Sequence, residues 1–167
     1  DAKPKRLKEI INKPVFEAVE FDFFTSPGNK LFDGIVDEID LKNEVQVDNI
    51  IKKYNLIISA HCKQLFPDRL VKSVLCVNVH PGFNPYNRGW YPQVFSIVNK
   101  LPLGATIHII DEKLDHGPII DQIKVEVEKF DTSFSAYMKV MDAEYYLVEK
   151  NLEAIINNSY DVRMPEI

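Results

Sequence analysis

Two short apolar runs, Leu56-Ile-Ile-Ser-Ala60 and Val74-Leu-Cys-Val-Asn-Val79, constrain this chain most. Runs of five or six residues with almost no polar alternation are too short for helices and too apolar for half-exposed strands. They read as strands covered on both faces, the kind found in α/β sheets. Each run ends on polar or turn-forming residues, so each strand stops at a junction where side chains can gather.

The spacing between these strands fills in the fold. Residues 4–12 read as a short helix with Pro4 in its first turn, and Val19 to Phe24 as a strand. Ser26-Pro-Gly-Asn29 reads as a turn, and residues 45–54 are apolar at helical spacing. A helix over 92–100, a strand over 105–110 and an alternating strand over 119–127 follow. A long helix capped by Asp131 or Thr132 closes the pattern, with a core stripe of Phe134, Tyr137, Met138, Met141, Tyr145, Val148, Leu152 and Ile155. The order predicts an α/β fold with a doubly wound, mostly parallel sheet and helices on both faces. Some antiparallel pairing is expected near residues 105–127.

The 167 residues, 46% hydrophobic, suffice for one domain with a sizeable core. No apolar run approaches the ~20 residues that span a bilayer, and no signal-peptide pattern is visible. The net charge of −5 and the lack of a basic face argue against a nucleic-acid partner. Cys62 and Cys76 read as buried thiols of a reduced, cytoplasmic protein. His61, Cys62, Cys76 and His80 are zinc ligands by type, but they lack the paired spacing of zinc sites, so no metal is assigned.

Strand alternation puts Asn78 and His80 on one side of the same strand, and Pro81 then turns the chain out. Asp115 lies in the turn-rich segment Asp111-Glu-Lys-Leu-Asp-His-Gly-Pro118 between two strands. Alone, each of the three would equally well satisfy a turn. Together they supply a hydrogen-bond donor, a proton shuttle and a base. The loop Phe83-Asn-Pro-Tyr-Asn-Arg-Gly-Trp-Tyr-Pro92 carries aromatics beside a guanidinium. It suits a flat or phosphorylated ligand, or serves as an aromatic structural loop.

The ordered set Asn78-x-His80-Pro, Gly104-x-Thr-x-His108 and Leu114-Asp115-x-Gly-Pro118 resembles the catalytic domain of 10-formyltetrahydrofolate-dependent formyltransferases. The 83–92 loop is most similar to that of the enzymes that formylate dTDP-linked amino-dideoxy sugars for surface polysaccharides such as O-antigen and lipopolysaccharide. The resemblance implies a Rossmann-like catalytic domain over residues 1–167, lacking part of its N-terminal region and any C-terminal extension. It implies 10-formyltetrahydrofolate as cosubstrate and a dTDP-amino sugar, such as dTDP-4-amino-4,6-dideoxyglucose, as acceptor. The catalytic trio falls on Asn78, His80 and Asp115, with Asn78 and protonated His80 holding the oxyanion. The folate falls to Cys62, Lys63, Gln64, Leu65, Asp111 and, in support, His108. The sugar nucleotide falls to Phe83, Asn84, Tyr86, Asn87, Arg88 and Trp90. Other acceptors remain open: glycinamide ribonucleotide, methionyl-tRNA, or water in a hydrolase. So does a non-catalytic folate- or nucleotide-binding module. The tyrosines near 137–146 serve either a homodimer interface or the core.

Overall fold

The computed structural model describes residues 2–29, 36–86, 88–89 and 91–166, with side chains from Arg6 onward. In chain order the elements are α1 (Ala2–Ile11), β1 (Phe24–Thr25), β2 (Asp37–Glu38), α2 (Glu44–Lys53), β3 (Leu56–Ala60), α3 (Asp68–Ser73), β4 (Leu75–His80), α4 (Pro92–Asn99), β5 (Leu103–Ile109), β6 (Ile119–Val125) and α5 (Ser133–Ile156). The chain divides into two compact units, Asp1–Ile57 with Cys62–Leu75, and Ile58–His61 with Cys76–Ile167.

In the first unit, β1 and β2 pair in parallel through Phe24 with Asp37 and Thr25 with Glu38. The strand expected over Val19 to Phe24 is otherwise irregular, because only its end finds a pairing partner. Helix α2 starts where Asn43 Oδ1 accepts from the Val45 and Gln46 amides at 3.1 and 3.2 Å. Glu44 at its start and Lys52 and Lys53 at its end complement the helix dipole. Helix α3, not foreseen from the sequence, buries Leu70. Arg69 ties it to α2 through Asp48 Oδ1 and the Glu44 carbonyl, both at 2.7 Å.

The second unit is built on a sheet of strand order β3-β4-β5-β6. Strand β5 runs against both neighbours, so β4/β5 and β5/β6 are antiparallel and β4 and β6 share a direction. The fold class is α/β as expected. The antiparallel pairing expected near residues 105–127 is found at β5, which pairs antiparallel with both β4 and β6 and joins β6 with no crossover helix. The register sets Asn78 opposite His108 and His80 opposite Thr106. These four side chains therefore share one face near the end of β4. On the other face Val77, Val79 and Ile107 meet Val148, Leu152 and Ile155 of α5.

Helix α5 opens on a reciprocal cap: Thr132 Oγ1 accepts from the Ser135 amide at 3.1 Å and Ser135 Oγ from the Thr132 amide at 2.9 Å. Its buried stripe runs through Ala136, Val140, Met141, Leu147, Val148, Leu152 and Ile155. Of the expected stripe, Met141, Val148, Leu152 and Ile155 are buried, Tyr137 and Tyr145 are half-buried, and Phe134 and Met138 are 72% and 45% exposed. Small Ala136 and Val140 lie against Leu103 of β5 instead, and the larger side chains turn outward. Among the described residues no helix is long and apolar enough to cross a membrane.

Candidate active site

The end of β4 and the turn after β5 bring Asn78, His80, His108 and Asp115 together. Pro81 ends β4 immediately after His80, and the chain then loops over the strand ends. The turn after β5 folds back tightly: the Ile109 amide donates to the Pro118 carbonyl at 2.9 Å. A Cβ on Gly117 would lie 1.9 Å from the Ile109 carbonyl oxygen, so only glycine permits this approach. Asp115 sits in that turn with φ +47°, a left-handed conformation that Asp tolerates better than most residues.

The Asp115 carboxylate is held from several sides. Gly89 N donates to Oδ2 at 2.9 Å and Asn78 Nδ2 to Oδ1 at 3.1 Å. His108 Nε2 lies 3.4 Å from Oδ1, and His80 Nδ1 lies 3.6 Å from Oδ2. Asn84 Nδ2 donates to the Asp115 backbone carbonyl at 3.0 Å. Burial works to raise the Asp115 carboxyl. The His108 hydrogen bond, nearby His80 and the Gly89 N–H outweigh it and leave the carboxyl at about 2.

His80 is 3% exposed. Burial pushes its imidazole down to about 4 against the pull of Asp115, and His108, His61 and Arg88 add to the push. His80 is therefore neutral near neutral pH, which corrects the protonated form expected from the sequence. Its Nε2 is buried without a hydrogen-bond partner among the described residues. The ring rests on Gly82, where a Cβ would lie 2.5 Å from Nε2. His108 Nδ1 lies 2.8 Å from the Ile109 carbonyl, which only accepts, so Nδ1 carries a proton. Its Nε2 is 3.3 Å from Asn78 Nδ2. His108 thus packs inside the trio, where the sequence placed it in support of a folate.

The remaining expected residues divide. Asp111 is engaged by its own turn, with Oδ1 accepting from the Lys113 amide at 2.9 Å and Oδ2 3.3 Å from His116 Nδ1. Phe83 is half-buried with its edge where a Gly104 Cβ would stand, and Tyr86 is exposed. Asn84 is 1% exposed; its Nδ2 donates to the Asp115 carbonyl, and its Oδ1 is buried without a hydrogen-bond partner among the described residues. Arg88 holds its Nε and Nη2 buried, without hydrogen-bond partners among the described residues. Asn87 and Trp90 lie outside the described residues.

Cys62, Lys63, Gln64 and Leu65 belong to the first unit. There Gln64 bonds the Ile39 carbonyl at 2.9 Å and the Leu41 amide at 2.9 Å. Cys62 Sγ lies 3.6 Å from Ser26 Oγ, and Leu65 is exposed. Both cysteines are free thiols. Cys76 is buried as expected, and that burial pushes its thiol up to about 12, whereas Cys62 is only half-buried.

Three site features escaped the sequence. Thr106 stands opposite His80, a placement that the Gly-x-Thr-x-His spacing carries once the strand register is known. The Gly89 contact is a backbone N–H, which no side-chain pattern announces. His61 pairs with buried Glu144 at 2.9 Å across 83 residues of sequence.

Residues 6–152 match the family model described as formyl transferase. Over 120 residues the chain is 52% identical to the dTDP-4-amino-4,6-dideoxyglucose formyltransferase of Mycobacterium tuberculosis, covering 72% of this chain and 51% of that protein. The chain thus spans about half the length of the curated relatives it matches. The crystal structure of a 4-N formyltransferase from Francisella tularensis is 45% identical with a TM-score of 0.89, covering 99% of this chain and 69% of that one. A more distant N-formyltransferase from Helicobacter canadensis, solved with folinic acid and dTDP-3-aminofucose, is 25% identical with a TM-score of 0.64 over 81% of this chain and 49% of that one.

Proposed function

The chain belongs to the formyl transferase family, and on that premise we propose that it moves a formyl group from 10-formyltetrahydrofolate to the amine of dTDP-4-amino-4,6-dideoxyglucose. The named activity of the Mycobacterium tuberculosis relative supports this acceptor. The folinic acid and dTDP-sugar in the Helicobacter canadensis structure support a folate donor and a dTDP-linked acceptor. The observation that carries the reading is the neutral, buried His80, backed by Asp115 at 3.6 Å, with its Nε2 unpartnered among the described residues. A buried polar atom left without a partner is what a polar ligand satisfies.

The residues divide the chemistry as follows. The acceptor amine attacks the formyl carbon, and the new C–N bond forms a tetrahedral centre with an oxyanion. Asp115 beside Nδ1 favours the tautomer with the proton there, which leaves the Nε2 lone pair to take a proton from the attacking amine. Asn78 commits one N–H to Asp115, and its second, 3.3 Å from His108 Nε2 before substrate binds, turns to the oxyanion as it forms. His80 then returns its proton to the folate nitrogen as the C–N bond to the donor breaks. The Arg88 guanidinium, with two buried nitrogens to satisfy, takes an anionic group of a substrate.

We also place the product in the synthesis of surface polysaccharide, in the cytoplasm, in a protein that works as a homodimer. The test is to incubate the protein with 10-formyltetrahydrofolate and separate acceptors: dTDP-4-amino-4,6-dideoxyglucose, a dTDP-3-amino-3,6-dideoxy sugar and glycinamide ribonucleotide. Mass spectrometry reads the gain of one formyl group. Formylation of the 4-amino sugar is the expected result. Formylation of another acceptor alone would move the substrate assignment, and formate release with every acceptor unchanged would make the protein a hydrolase.

A further inference from the structure

We infer that Thr106, Asn84 and Gln122, anchored by Arg163, form a buried positioning relay that holds Asp115 from behind. The functional part of this inference rests on the formyl-transfer reading. Thr106 is fully buried on β5, opposite His80. Its hydroxyl donates to the Gly82 carbonyl at 2.7 Å and accepts from the Asn84 amide at 3.2 Å. One hydroxyl thus pins the loop that follows His80 at two points. Asn84 extends its side chain to the Asp115 carbonyl at 3.0 Å. Its own carbonyl accepts from Gln122 Nε2 at 3.0 Å, and that nitrogen also lies 3.5 Å from Thr106 Oγ1.

Arg163 sets the sense of the Gln122 amide. Its Nη2 bonds Gln122 Oε1, and a guanidinium only donates, so the amide oxygen must face Arg163 and the nitrogen must face Asn84. Arg163 is itself fixed by two backbone bonds with Ile119, at 2.8 and 3.0 Å. The result is a hydrogen-bonded path from the segment after α5, through β6 and β5, to the backbone of Asp115. The carboxylate is held by Asn78 and Gly89, and the backbone by Asn84. Asn84 is therefore a positioning residue, and so are Thr106 and Gln122, because each acts through another group.

Thr106→Val and Gln122→Met keep shape and remove the hydrogen bonds, and Thr106→Ser keeps the hydroxyl. Misplacing a reacting group by about 1 Å costs roughly 10²-fold. Thr106→Val and Gln122→Met are expected to lower kcat by roughly 10- to 100-fold, with KM for folate and sugar little changed. Thr106→Ser is expected to recover most of kcat. The Asp115 carboxyl titration, followed by carbon NMR without any turnover, is expected to move upward in Thr106→Val and Gln122→Met and to stay put in Thr106→Ser. Unchanged kcat and titration would overturn the relay. So would a loss confined to KM, or a loss that Thr106→Ser fails to recover. If the wild-type protein formylates no acceptor, the formyl-transfer reading falls, and the carboxyl titration alone then decides the relay.

Discussion

Asn78 presents its side-chain nitrogen to Asp115 Oδ1 at 3.1 Å, with His108 Nε2 3.3 Å from the same nitrogen. A neutral donor thus stands between a carboxylate and an imidazole. Asn78→Asp replaces it with a second carboxylate, and two carboxylates at this distance cannot both stay ionised easily. The variant is expected to lose roughly 10²–10³ in kcat, the cost of one oxyanion donor. Its carboxyl pair is expected to titrate well above the position of Asp115 in the wild type. Steady-state kinetics with carbon NMR checks both, and near-normal kcat would remove Asn78 from the oxyanion role.

His80 gives the protein a pH signature. Its folded value of about 4 lies below the 6.5 of a free imidazole, so between those values the unfolded chain binds the extra proton. Stability should therefore rise with pH across this window and fall as the medium is acidified through it. Asp115 acts lower, since its contribution is present above about 3.8 and lost toward about 2. Urea midpoints of the wild type should drop between about pH 6.5 and pH 4, and those of His80→Asn should drop less. Equal slopes would show that His80 is not held neutral by burial.

Gly82 sets the position of the His80 ring. An added methyl would meet Nε2 at 2.5 Å and Cδ2 at 2.8 Å, so the ring must move. Gly82→Ala is expected to cut kcat by roughly 10²-fold, the cost of misplacing a reacting group. Circular dichroism of the variant should match the wild type. Full activity would mean that the ring has room that the structure does not show.

The corrected stripe of α5 can be tested by a pair of truncations. Leu147 is buried and Phe134 is exposed. Leu147→Ala is expected to cost about 2–5 kcal/mol and Phe134→Ala about 0.5 kcal/mol or less. Urea unfolding of both variants reads the difference. A large loss at Phe134 would restore the stripe read from the sequence.

Much of the second unit was legible because its signals are local. The runs at 56–60 and 74–79, the alternation after Ile119 and the cap at Thr132 each act through neighbouring residues. The juxtaposition of Asn78, His80 and Asp115 was legible because alternation fixes the first two and a glycine-bound turn fixes the third. What was hidden depends on partners far along the chain. The hydrogen bond from Asn84 to the Asp115 carbonyl appears only when residues 31 positions apart meet. The protonation of His80 follows from burial, which a strand-end motif does not reveal. The first turns of α5 misled because the largest side chains were assumed to be the buried ones, while Ala136 and Val140 are what fit against Leu103.

The most direct test of formyl transfer through Asn78, His80 and Asp115 is the stoichiometry of a single reaction. The protein, 10-formyltetrahydrofolate and dTDP-4-amino-4,6-dideoxyglucose are mixed, and tetrahydrofolate and formylated sugar are counted together by mass spectrometry. His80→Asn runs in parallel. One formylated sugar per tetrahydrofolate, with the variant slowed by roughly 10²–10⁴-fold, is the expected result. Tetrahydrofolate without formylated sugar, or a His80→Asn variant as fast as the wild type, would contradict it.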